Sequence, residues 1–244
     1  MKRILKTNKF LLLLFAGITM LLLSGCYKEE SCIRGNGRPE IETRITSTFN
    51  EVVNNGSFEV HILPGDRHEV QVDAESNLLP YIRTSVSGRR LFIETVTNRC
   101  INSTMSIIVT VYTPYVDGIE LNGSGYVSAY DLYLDELSIR LNGSGEIIAD
   151  ADALNINATI TGSGIIELSG ITETTNLNIS GSGQIKAYSL NQRRCYANIS
   201  GSGNMYVRVS DLLDAVISGS GNICYRGNPN VIQRISGSGR VIRQ

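Results

Sequence analysis

His61 and His68 bracket the turn Leu63-Pro64-Gly65-Asp66, and Glu69 follows the second of them. Across a hairpin-like turn the two imidazoles could meet and, with Asp66 or Glu69, hold a metal ion. Two imidazoles without further ligands do not make a structural zinc site. The expectation is therefore two solvated histidines, with no metal and no cofactor. Serine is abundant, but no Gly-x-Ser-x-Gly elbow with a partner His and Asp can be assembled around it. Stretches such as Gly181-Ser182-Gly183-Gln184 are glycine-rich, yet no strand–turn–helix frame surrounds them, so they do not read as a dinucleotide fingerprint. The residues predict a protein that is not an enzyme.

The glycines belong to a repeat. Ile-Ser-Gly-Ser-Gly stands at 179–183, 199–203, 217–221 and 235–239, with looser copies at 121–125, 141–145 and 160–164. First glycines fall at 123, 143, 162, 181, 201, 219 and 237, in steps of 18 to 20 residues. Seven copies at a near-fixed period specify a stacked repeat architecture. Two residues before each first glycine lie Leu121, Leu141, Ile160, Ile179, Ile199, Ile217 and Ile235. Four residues after it lie Val127, Ile147, Ile166, Ile185, Met205, Ile223 and Val241. Their shared parity puts them on one side of an extended chain, which argues strand over helix. About 19 residues at roughly 3.3 Å each trace one turn of a β-solenoid with two or three short strands, and seven turns stack to roughly 30 Å.

The predicted fold is therefore all-β, a parallel β-helix of about 18–20-residue coils. Its right hand is expected from the general crossover preference. Both glycines of each triplet share the inward parity, so a larger side chain at Gly181 should crowd the core. Ser124, Ser144, Ser163, Ser182, Ser202, Ser220 and Ser238 should point outward, beside a second outward column formed by Asn122, Asn142, Thr161, Ser180, Ser200, Ser218 and Ser236. Some β-helix proteins cleave polysaccharides with carboxylates aligned on successive coils. Here Asp131, Glu146, Asp150, Asp152 and Glu167 fall at unrelated phases and read as scattered surface charge.

Residues 41–118 are less regular. Strand-like runs occur near 41–48, 58–63, 68–73, 80–86, 90–97 and 105–112, and Asn55-Gly56-Ser57 is a worn copy of the repeat. This part should form wider coils that cover one end of the 119–244 stack, since terminal strands expose unpaired backbone groups. The other end, Arg240-Val241-Ile242-Arg243-Gln244, has no evident cap, and self-association through this C-terminal coil is open.

At the start, Lys2, Arg3, Lys6 and Lys9 precede the apolar run Phe10–Leu23, too short to span a bilayer comfortably. This reads as a signal peptide over 1–25. Leu23-Ser24-Gly25-Cys26 resembles the lipobox of bacterial lipoproteins, which implies lipid on Cys26 and membrane attachment through acyl chains. Tyr27-Lys28-Glu29-Glu30 resembles the surface-export signal of lipoproteins in Bacteroides-type bacteria. That resemblance implies an outer-membrane protein facing outward, with a periplasm-facing position as the alternative. Residues 26–40 would be a tether. Without the leader, whose four charges are all basic, the chain keeps 18 basic and 23 acidic side chains, and no basic stripe draws nucleic acid. Export allows disulfides. Cys195 has inward phase and Cys224 outward phase, which leaves Cys32 and Cys100 as the expected pair.

A lipobox, a strand such as Gly56-Ser57-Phe58-Glu59-Val60-His61-Ile62-Leu63-Pro64-Gly65-Asp66 and the Ser-Gly-Ser-Gly coils together resemble the head GIN domain family, over about residues 41–244. Its members are described as autotransporter-type adhesins, which implies a β-helix-like fold and a binding role. The serine column with Tyr126, Tyr130, Tyr188 and Tyr206 suits contact with carbohydrate or protein; of these, Tyr126 and Tyr206 are the chosen aromatic candidates. Three readings stay open: a surface-tethered binding module, a structural or assembly component of the envelope, and a polysaccharide-active enzyme.

Overall fold

The computed structural model describes residues 32–96 and 99–244. The leader, Cys26 and the Lys28-Glu29-Glu30 signal lie outside the described residues. The first strands are β1 (Ile33–Arg34), β2 (Pro39–Ile45), β3 (Glu51–Asn55) and β4 (Glu59–Pro64). They are followed by β5 (Glu69–Glu75), β6 (Ile82–Ser87), β7 (Arg90–Thr95), β8 (Ile101–Asn102) and β9 (Ile108–Thr113). The repeats begin with β10 (Gly118–Gly123) and continue as β11 (Tyr126–Gly143), β12 (Glu146–Gly162), β13 (Ile165–Gly181), β14 (Gln184–Gly201) and β15 (Asn204–Gly219). The last coil is divided among β16 (Asn222–Arg226), β17 (Asn230–Gly237) and β18 (Arg240–Arg243).

The repeats form a β-solenoid of about seven turns with coils of about 19 residues. Each central coil is one nearly continuous strand of 16 to 18 residues that opens only at the Gly-Ser-Gly corner, instead of the two or three short strands expected. Consecutive coils pair in parallel with equivalent residues stacked: Gly143, Gly162, Gly181, Gly201, Gly219 and Gly237 form one column. The alternation holds. Leu121, Leu141, Ile160, Ile179, Ile199 and Ile217 are each at most 2% exposed, and Val127, Ile147, Ile166, Ile185, Met205 and Ile223 are fully buried. Each such side chain contributes about 1.5–3 kcal/mol by leaving water. Branched chains at these positions also favour the extended backbone.

The worn copy is a true coil. β3 and β4 flank Gly56-Ser57-Phe58 and pair in parallel with β10 and β11, so Gly56 lies under Gly123. Phe58 replaces the second glycine of the triplet and is buried beneath the stack. One further layer, β7 and β9, pairs in parallel with β3 and β4. Beyond it the expectation of wider coils fails. β6 runs antiparallel to β7, β5 antiparallel to β9, and β2 antiparallel to β5. The reason lies at the Pro64-Gly65 turn. β4 and β5 do not pair across it, because β9 enters between them and bonds to both.

An alternating ion network fastens this cap to the first repeat. Arg90 Nη2 lies 2.9 Å from Glu51 Oε1 and 2.6 Å from Glu120 Oε2, while Arg140 contacts the same two carboxylates. Burial alone would raise the Glu120 pKa. The hydrogen bonds from Asn122 and Arg140 and the charges of Arg90 and Arg140 outweigh it, so the group stays below the usual carboxylate range. At the opposite end β17 and β18 are edge strands, and Ile235 is 41% exposed where its counterparts in earlier coils are buried.

Candidate functional site

The Gly-Ser-Gly corners make a ridge. The first glycine of each triplet has φ between +122° and +136°. A β-carbon on Gly181 would stand 2.4 Å from the carbonyl oxygen of Gly162, one coil away. It would therefore point along the stack, not into the core, and this corrects the inward expectation for the first glycine. The chain turns there, so parity counted along an uninterrupted strand does not apply. The second glycine does face inward: a β-carbon on Gly183 would meet Ile160 Cγ2 at 2.7 Å and Gly164 O at 2.8 Å.

This geometry explains the serine column. From Ser144 to Ser220, each serine N–H donates to the first-glycine carbonyl of the coil before it, at 2.9–3.0 Å. With the backbone bonded along the stack, the side chain must leave the wall. Ser124, Ser144, Ser163, Ser182, Ser202, Ser220 and Ser238 are all exposed, in rows about 4.8 Å apart. The adjoining column begins as an amide ladder: Asn122 Nδ2 donates to Asn55 Oδ1 and Asn142 Nδ2 to Asn122 Oδ1, each at 2.8 Å. Beyond Asn142 that column continues as Thr161, Ser180, Ser200, Ser218 and Ser236, all exposed, so both columns present hydroxyls there. Beside the first two coils the ridge borders a groove of about 380 Å³, lined by Ser57, Ser124, Ser144, Glu59, Glu146 and Tyr126.

The two chosen tyrosines do not share a site. Tyr126 is half-buried, its ring centroid 6.0 Å from that of His61, and burial with a hydrogen bond to Tyr130 raises its pKa. Tyr206 stands four coils away, edge-on to Tyr188 at 5.7 Å, and Arg226 lies 4.1 Å above the Tyr188 ring. His61 and His68 are separated by β9. His61 Nδ1 is 2.8 Å from Ser128 Oγ and its Nε2 3.1 Å from Glu59 Oε1, while His68 Nδ1 is 3.2 Å from Thr113 Oγ1. The solvated, turn-flanking expectation thus gives way to two half-buried rings with separate partners. Among the described residues no three His, Cys, Asp or Glu side chains gather as a metal-ligand set.

Cys195 is buried as its phase requires, and burial pushes its thiol up to about 12. Cys224 keeps the outward phase, in register with Tyr206 and Ile242, but its neighbours cover it: it is only 8% exposed, and its pKa is raised by that burial. Both are free thiols. Cys32 and Cys100 are disulfide-bonded cysteines. Next to Cys100, Ile101–Asn102 pairs with Ile33–Arg34.

Reading Asp131 as scattered charge misses a feature. Its backbone has φ +58°, and it stands at a corner of the first repeat beside a second, aromatic depression. The signal was the step of 20 residues from Gly123 to Gly143, one more than the next coil uses.

A family model described as "Putative auto-transporter adhesin, head GIN domain" matches residues 48–229. Among solved structures, a putative lipid binding protein from Parabacteroides distasonis ATCC 8503 is 27% identical, with a TM-score of 0.76 over 87% of this chain and 99% of that one. A putative adhesin from Bacteroides fragilis NCTC 9343 shares the fold at 21% identity, TM-score 0.82, over 87% and 100% of the two chains. A putative adhesin from Parabacteroides merdae ATCC 43184 does so at 23% identity, TM-score 0.72, over 87% and 98%. No curated protein matches.

Proposed function

Because the chain belongs to the head GIN domain family, we propose that it is an adhesin-like binding module, a lipoprotein held at the outer membrane by lipid on Cys26 and exposed on the cell surface. Its ligand is a glycan or a protein, and the serine ridge makes the contact. One observation carries this reading: seven serines in a column stand exposed, and from Ser144 to Ser220 each has its N–H bonded along the stack. Such a surface offers hydroxyl donors and acceptors at a fixed spacing, with little side-chain entropy to lose on contact. A bond between Cys32 and Cys100 is part of the proposal, tying the start of the domain to the cap.

The double substitution Ser182→Tyr with Ser202→Tyr tests the ridge. Both sites are exposed, so stability should change by no more than about 0.5 kcal/mol. Adhesion to cells or extracellular matrix displaying the ligand should fall at least tenfold, read as bound protein per unit surface. Unchanged adhesion sinks the ridge as the contact.

Location is tested separately. A protease that cannot cross the outer membrane, added to intact cells, should remove the protein while periplasmic controls survive. Full protection overturns the surface assignment.

A second reading, an envelope assembly component, is favoured by the open edge at β17 and β18, where Ile232 and Ile235 are exposed. Under it the double serine substitution leaves the activity untouched.

A further inference from the structure

We propose that the depression at the Tyr130–Asp131 corner is a saccharide site, with one face of a sugar ring lying against tyrosine and a sugar hydroxyl donating to the Asp131 carboxylate. The proposal rests on reading the chain as a binding module, but it moves a contact to a second corner of the coil and names the ligand class.

The depression measures about 350 Å³ and is formed where the end of β4, the β9–β10 loop and the 130–134 stretch of β11 converge. That volume lies at the lower end of the range for small-molecule sites. Ile62 and Val116, both buried, and Leu132 and Leu134 give it an apolar floor. Tyr115, Tyr130 and Tyr133 stand at its rim, 46%, 41% and 74% exposed. Behind the rim, burial and the nearby charge of Asp117 raise the Tyr115 pKa, and the two Asp117 oxygens each accept from Asn50 Nδ2 at 2.8 Å. Rigid tyrosines supply amphipathic contact area at low entropic cost.

The corner is built by a bulge. The ladder between β11 and β12 jumps from Ala129–Ala149 to Leu132–Ala151, so Tyr130 and Asp131 together oppose Asp150 alone. Bulges re-aim side chains and concentrate beside functional sites. Asp131 takes up the turn with a positive φ. Away from the Gly-Ser-Gly corners, other coils place a positive φ on glycine: Gly170, which stacks on Ala151 and so in line with Leu132, and Gly227, whose β-carbon position faces Val209 O. At Asp131 the positive φ falls on a residue whose carboxylate stands at the rim of the depression. Strain of this kind points from an observed outlier to a role for the side chain.

The charge decides the ligand class. No Lys or Arg lines the depression, so nothing there neutralises a phosphate or a fatty-acid carboxylate. Its rim tyrosines are 41–74% exposed, so an alkyl chain laid against them would stay partly wet. A sugar fits both halves, with C–H faces for the rings and hydroxyl donors for a carboxylate, which accepts them strongly. Past Tyr133 a second groove runs over Leu154 and Ile171, 53% and 59% exposed, with Asp135, Asp152 and Glu173 along it; no Lys or Arg lines it, and Arg193 pairs with Glu173 at 3.0 Å. A chain of sugars laid along the stack would use both.

Saturation-transfer NMR on the full chain tests the proposal. The probes are methyl glycosides of glucose, galactose and mannose, N-acetylglucosamine, and the corresponding oligosaccharides of two to four units, with palmitate as an apolar control. Saturation should reach the ring C–H protons, and Kd should fall as the oligosaccharide lengthens. Tyr133→Ala and Asp131→Gly should each weaken binding at least tenfold. Asp131→Gly should do so with Tm unchanged or raised, since glycine relieves the φ, and this separates lost binding from lost folding. Asn198→Ala, at an exposed position of β14 with no assigned contact, should leave sugar affinity as it is. Absence of transfer to every sugar at millimolar concentration overturns the site while the binding-module reading stands for a protein ligand. Sugar binding untouched in both cleft variants, or lost in Asn198→Ala instead, also overturns it. Palmitate binding that Tyr133→Ala weakens, without sugar binding, overturns the ligand class.

Discussion

Gly181→Ala is expected to destabilise the protein almost as much as Gly181→Val, each by about 3–5 kcal/mol in urea denaturation. The reason is where the β-carbon goes. At φ +128° it would sit 2.4 Å from the Gly162 carbonyl oxygen and 3.2 Å from the Gly162 nitrogen and carbonyl carbon, all of them backbone on the next coil. That oxygen accepts the Ser182 N–H at 2.9 Å, so moving it away breaks the bond that shapes the ridge. The first methyl does the damage, and the two further methyls of valine add little. Gly183→Ala should cost less, about 1–2 kcal/mol, because the Ile160 side chain among its neighbours can shift. If Gly181→Ala stays within about 1 kcal/mol of wild type while Gly181→Val is severe, the strain lies in core crowding and the corner geometry is wrong. A loss of 3–5 kcal/mol takes a large share of the 5–15 kcal/mol by which domains are stable.

Glu75→Gln should open the cap and leave the repeats closed. The Glu75 carboxylate is fully buried, and among the described residues no cation pairs with it. Four donors surround it: Gly37 N–H at 2.7 Å, Thr104 Oγ1 at 2.7 Å, Ser103 Oγ at 2.8 Å and Thr104 N–H at 2.9 Å. Gly35 packs so close that a β-carbon there would fall 1.8 Å from Glu75 Oε2. The hydrogen bonds, led by that from the Thr104 side chain, hold the pKa down to about 2 against the opposing effect of burial. Glutamine fills the same space but turns one acceptor into a donor that faces donors. In hydrogen exchange at neutral pH, amides of β1, of the loop around Gly37 and of 101–107 should exchange at least tenfold faster, with β12 to β15 unchanged. Acid should reproduce this in the wild type. A depressed carboxylate stabilises fully above its ordinary value, 4.5, and that contribution drains away as pH falls from there towards about 2. Uniform loss of protection through the repeats would show instead that cap and stack open as one unit.

The sequence was most legible where one rule repeats. The ladder from Leu121 to Ile217 fixes parity, and parity fixes which side chains are buried. Prediction failed where the chain turns. The first glycine shares the parity of its apolar neighbours, but a corner with positive φ carries its β-carbon position out of the inward set. Pairing in the cap was hidden for a different reason. Pro64-Gly65 has hairpin chemistry, and nothing local announces that β9, more than 40 residues on, will enter between β4 and β5. Strand positions there were nonetheless readable, since β4, β5 and β7 lie within two residues of the expected runs. The serine ridge followed from spacing alone. The tyrosine cleft did not, because its three walls come from distant segments and its mark in the sequence is a single extra residue.

The cap imposes an order of assembly. Neighbouring repeats meet residues about 20 apart, as Asn142 meets Asn122, whereas Asn55 must wait for Asn122, 67 residues downstream. Closing the longer loop costs about 1 kcal/mol more in chain entropy. During synthesis or export β3 and β4 appear before β7, β9, β10 and β11, the strands they pair with, while neighbouring coils can zip to one another as they appear. Loop entropy therefore favours pairing between neighbouring coils over closure of the cap. Contacts made late contribute little to the barrier for folding and much to the barrier against unfolding. The lifetime of the folded molecule is then set at the cap, and the rate of its formation in the repeats.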